Sequence, residues 1–111
     1  MAATARGRID ELFENYVIAL AAVDQCPESA DGEVQRRLAQ NVERAERAFA
    51  DAAADGLHVD SAILEDAVKA LANANTTSRG SLRDGHAIGA LVTDLERGTE
   101  LAVKVLAEAR G

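Results

Sequence analysis

The sequence predicts an all-α protein, an antiparallel up-down four-helix bundle, and three observations carry that expectation. Alanine, the strongest helix former, supplies 24 of the 111 residues. Proline, which breaks helices, occurs once, at Pro27. Apolar residues recur three and four apart over four long segments, each bounded by capping or turn residues. Short connections between such helices make sequence neighbours antiparallel. The length predicts a single domain spanning residues 1–111.

The first helix is predicted to run from near Thr4, a possible N-cap, to Gln25, where Cys26-Pro27 stops it because the residue before proline avoids the helical region. Its regular face is Ile9, Leu12, Phe13, Tyr16, Leu20 and Val23, while Ile18, Ala21 and Ala22 fall opposite on the helical wheel. Tyr16 to Val23 are eight successive apolar residues. At a rise of about 1.5 Å each they span only about 12 Å, too short to cross a membrane. A helix without a polar side needs protein on both flanks, so Ile18, Ala21 and Ala22 are expected to meet a second copy of the chain.

Ser29 or Asp31 is the predicted cap of a second helix from Gly32 or Glu33 to Asp55, with Val34, Leu38, Val42, Ala45, Phe49 and Ala52 inward. Glu33/Arg37 and Glu43/Arg47 stand four apart as surface ion pairs. Gly56 followed by Leu57 reads as a left-handed C-cap with a hydrophobic residue folding back. Asp60 or Ser61 caps the third helix, with Val59 placed as a hydrophobic staple and Ile63, Leu64, Ala67, Leu71 and Ala74 inward. The apolar signal fades after Ala74. The polar, glycine-containing stretch from Asn73 to His86 is therefore read as a linker.

Helix 4 is predicted to begin at Ser81, which forms a capping-box pattern with Asp84, or nearer His86, and to end at about Arg110. Its main face is Ile88, Leu91, Leu95, Ala102, Leu106 and Ala109, widened by Val92 and Val103. A second stripe of Ala87, Ala90, Leu101 and Val105 lies about 100° round and predicts contact on another side. Helices 1 and 4 are thus the expected interface of a homodimer.

A net charge of −7, from 19 acidic and 12 basic residues, repels phosphate backbones. No nucleic-acid partner is expected, and a protein partner of unknown identity is. The opening residues lead straight into an amphipathic segment, so neither a signal peptide nor a membrane association is expected. Cys26 is the only cysteine, which excludes an internal disulfide and fits a cytoplasmic protein.

Candidate chemistry is sparse. The Glu-x-x-His pairs of carboxylate-bridged metal bundles are absent, the nearest spacing being Asp55-x-x-His58 across a helix end, so no metal or other cofactor is expected. Glu11-x-x-Glu14 and Glu43-x-x-Glu46 are spaced in a way that resembles the Mg²⁺-holding motifs of all-α nucleotide pyrophosphohydrolases, but the wheel turns them outward. An outward His86 resembles the histidine of four-helix phosphotransfer domains, yet Gly89-Ala90 stands where that family has Lys-Gly. Arg79, Ser81 and Arg83, with free N–H groups at the start of helix 4, offer a possible anion site. The expected function is a non-catalytic, self-associating interaction or regulatory module. The alternatives are an anion-binding or small-ligand-binding regulatory domain using residues 73–86, or an enzyme subunit with its active site at a subunit boundary.

Overall fold

The structure, a computed structural model of the chain, describes residues 5–57, 61–84 and 88–110, with side chains from Gly7 onward and that of Ile88 excepted. Four helices account for most of them: α1 (Ala5–Gln25), α2 (Gly32–Asp55), α3 (Ala62–Arg83) and α4 (Ile88–Arg110). Local chemistry fixes several ends. The Asp31 side chain accepts the Glu33 N–H at 2.7 Å and starts α2. Gly56, at φ 86°, ends it by returning its N–H to the Ala52 carbonyl. Ser61 caps α3 by accepting from the Leu64 N–H.

The third helix continues for about three turns through the stretch read as a linker. Asn75, Ser78 and Ser81 fall at helical spacing on its buried face, and the Thr76 and Thr77 hydroxyls donate to the carbonyls of Ala72 and Asn73 four residues back. The apolar signal fades because the inward positions turn polar, not because the helix stops. The expected start of helix 4 at Ser81 is corrected with it; α4 begins at Ile88.

Helix directions follow from their contacts. Phe13 meets Phe49 while Ile18 and Ala22 pack with Leu38, so α1 and α2 are antiparallel. Glu11 with Asn75 and Glu14 with Arg79 make α1 and α3 parallel. Arg37 with Glu96 and Asp55 with Arg110 do the same for α2 and α4. Among the described residues the backbones of α2 and α3 do not come within 8 Å at any Cα, although they are sequence neighbours, whereas α1 and α4 each approach three helices this closely. The α2–α3 connection therefore crosses a diagonal, and α1 and α4 close the other one. The cross-section of 23 × 17 Å is flattened accordingly.

Two apolar clusters fill the bundle. One joins Leu12, Leu57, Leu64, Leu71, Val105 and neighbours, the other Ile18, Ala22, Leu38, Leu91, Val92 and Leu95. Each fully buried leucine contributes roughly 1.5–3 kcal/mol. Arg8, only 4% exposed, fastens the first cluster from its end: it donates to the Leu57 carbonyl at 2.7 Å and pairs with Glu65. Leu57 has the left-handed φ of 49° that this turn imposes, and its side chain is buried.

Candidate interaction surface

The outward side of α1 carries Phe13, Val17, Leu20 and Val23, each 40–46% exposed. With Val17 as reference, steps of about 100° place Phe13 and Leu20 within about 60° of it, and the buried Arg8, Asn15, Ala19 and Ala22 about 140–180° away. The stripe thus occupies the position where a solvated helix carries charge. Phe49 of α2 extends it, its ring 5.0 Å from Phe13 and 6.3 Å from Tyr16, the latter stacked. At its C-terminal end the stripe opens into a shallow cleft lined by Val23, Cys26, Pro27, Glu28, Gln35 and Leu38.

This rotation corrects the expected interface. Ile18, Ala22 and Val105 are at most 3% exposed and belong to the core of the subunit, so they present nothing to a partner. Ala21 and Leu101 are half-buried, Ala90 is exposed and Ala87 lies outside the described residues. Val105 of the second α4 stripe is buried because that helix packs against three others within its own chain. On α1 the expected core members Phe13, Leu20 and Val23 face out, and the inward face is Leu12, Asn15, Ile18, Ala19 and Ala22. Small residues take the inner side because helices that meet across the short diagonal approach closely, and interaxial distance follows side-chain size. Ile63 is also corrected, from inward to 62% exposed, and Val103 is 41% exposed.

The expected anion site does not assemble. Arg79 pairs with Glu14 at 3.0 Å, Ser81 is buried and donates to Asp94, and Arg83 pairs with Asp84. All three belong to the last turns of α3, the negative end of that helix's dipole, which disfavours anions, instead of the N–H groups of α4. Glu11 is half-buried and accepts from Asn75, so it and Glu14 face α3 and not open solvent. His58 and His86 lie outside the described residues.

A buried polar layer is the feature that the sequence pattern did not bring out. Between the two apolar clusters every helix contributes polar groups: Asn15 after Leu12, Asn41 after Leu38, Asn75 and Ser78 after Leu71, and Thr99 after Leu95. Asn15 donates to the Thr99 hydroxyl at 3.4 Å, and Asn75 to the Glu11 carbonyl at 3.0 Å. The Asn41 side-chain oxygen is buried without a hydrogen-bond partner among the described residues. Gly98 leaves room here, since a Cβ on it would stand 3.1 Å from the Asn15 side-chain oxygen. The sequence signal is a single polar residue three or four after an inward leucine, at Asn15, Asn41, Asn75 and Thr99, which no apolar stripe includes.

Elsewhere the surface is occupied by ion pairs. Arg37 of α2 holds Glu96 of α4, and its hydrogen bond keeps the Glu96 carboxyl below the ordinary glutamate range while raising its own pKa. Arg110 bonds to Asp55 and is raised for the same reason. The expected Glu33/Arg37 pair is replaced by Glu33 with Arg36. No helix among the described residues is long and apolar enough to cross a membrane. No known family, curated protein or solved structure matches the chain.

Proposed function

We propose that the chain is a non-catalytic protein-interaction module that works through the outward face of α1. The observation that carries this reading is the row Phe13, Val17, Leu20 and Val23, which keeps large apolar side chains in solvent along one helix. Scattered exposed hydrophobics are ordinary, whereas a contiguous row is the usual mark of a binding surface. Engagement of the carboxylates supports a structural over a catalytic role: Glu14, Asp51, Asp55, Glu65 and Glu96 all hold arginines, and Glu11 accepts from Asn75.

The test is photo-crosslinking in the native source with a benzophenone amino acid at position 20, compared with the same probe at Glu100 on the exposed side of α4. Discrete adducts from position 20 that disappear in a Val17→Lys background are expected, their masses separating a self-dimer from another partner. Absence of adducts from position 20, or the same adducts from both positions, contradicts the reading.

A further inference from the structure

We infer that the occupant of the α1 stripe is a basic amphipathic helix of another protein, and not a second copy of this chain. The inference rests on the reading of α1 as an interaction surface and adds the chemistry of what binds there. It follows from where the charges stand. Asp10 and Asp24 are exposed and lie seven residues before and after Val17, within about 20° of it on the wheel. They bracket Phe13, Val17 and Leu20, about 21 Å apart along the helix, while Val23 lies further round toward the cleft. Neither has an ion-pair partner among the described residues. Exposed Glu28 stands in the cleft at its end, while Glu14, on the α3 side, is already neutralised by Arg79. The one basic side chain described on α1, that of Arg8, is buried and engaged with Glu65.

That arrangement disfavours self-pairing in both directions. Two copies of α1 laid antiparallel across Val17 bring Asp10 against Asp24 of the other copy, and a parallel pair brings each against its own equivalent. Either way like charges meet at both ends. A helix with apolar residues at every third or fourth position and lysine or arginine flanking them meets the same surface with attraction at both ends. Its length is set by the bracket: about four turns are needed to reach from Asp10 to Asp24. Val23, shared by the row and the cleft, makes the apolar surface continuous to the Pro27 turn, where one further apolar side chain of the partner can lodge.

The experiment is fluorescence anisotropy with two designed helical peptides of about 18 residues that share a leucine stripe, one flanked by lysines and the other by glutamates. The lysine peptide is expected to bind at least about tenfold more tightly. Asp10→Asn with Asp24→Asn should weaken it about fivefold, the sum of two exposed charge pairs. Asp66→Asn with Glu100→Gln, exposed positions on α3 and α4, removes the same charge elsewhere and should leave affinity within about twofold, the residual long-range attraction. Equal binding of both peptides, no binding of either, equal effects of the two charge-neutralised pairs, or a salt-independent dimer in sedimentation whose contact is α1 overturns the basic-helix assignment. A Val17→Ser with Leu20→Ser variant, melting as the parent does, separates the two levels. If it leaves peptide affinity unchanged, the surface itself is misassigned; if it weakens both peptides alike, the surface stands and only the charge assignment fails.

Discussion

Replacing Ile18 and Val17 one at a time with alanine tests the rotation of α1 at single-residue resolution. Ile18 is 3% exposed and packs with Leu38, Leu91, Val92 and Leu95. Truncation there removes buried methyl and methylene groups and leaves a cavity that helices on the short diagonal can only partly close, a loss of about 3 kcal/mol. An unfolding entropy of about 2.1 cal/mol/K per residue turns this into a fall of roughly 13 °C in Tm for a chain of this length. Val17, about 100° round the same helix, is 40% exposed. Its lost contacts are small and alanine's higher helix propensity offsets them, so the change stays within about 0.5 kcal/mol, or roughly 2 °C. Thermal melts followed by circular dichroism measure both. A Val17→Ala drop as large as that of Ile18→Ala, or the reverse order, refutes the assignment of inner and outer faces.

Three further outcomes follow from local geometry. Gly56 has φ 86°, so Gly56→Ala places a Cβ in the left-handed region and should cost about 1 kcal/mol, read as a shift in urea midpoint at constant m-value. Gly98→Ala should be nearly neutral in the parent, because its helix-propensity gain is offset by crowding of the Asn15 oxygen at 3.1 Å, and stabilising by about 1 kcal/mol once Asn15 is alanine; a cycle with no coupling contradicts this packing. Glu96 has a lowered pKa because Arg37 donates to it. Its contribution is therefore present above the ordinary glutamate pKa of about 4.3 and lost as pH falls through the depressed folded-state value. Glu96→Gln should lower Tm at neutral pH and match the parent in strong acid, whereas a gap that persists in acid assigns the effect to something other than this ion pair.

Helix number and most boundaries were legible because they depend on local chemistry: the Asp31 and Ser61 caps, the Gly56 turn and the single proline act within a few residues. Faces were less legible. A wheel ranks positions by size and so assigned Phe13, Leu20 and Val23 to the core, but burial on α1 is decided by which helices surround it. Diagonal placement of α1 and α4 selects alanine and asparagine inside, and nothing in the local pattern reveals that α2 and α3 fail to meet. The continuation of α3 was missed for a related reason, since Asn75, Ser78 and Ser81 are inward and polar, and polarity alone reads as loop. What the sequence did carry about the candidate surface was the unbroken apolar run Tyr16 to Val23. Its excess of apolar residues is real, and it lies on the opposite side of the helix from the one first expected.

Backbone chemical-shift mapping of the ¹⁵N-labelled chain, titrated with the lysine-flanked helical peptide, tests the central claim most directly. Perturbations confined to residues 10–28 of α1 and its following turn, together with Phe49, are the expected result. Shifts spread evenly over the acidic surface of all four helices, or centred on α3 or α4, contradict it.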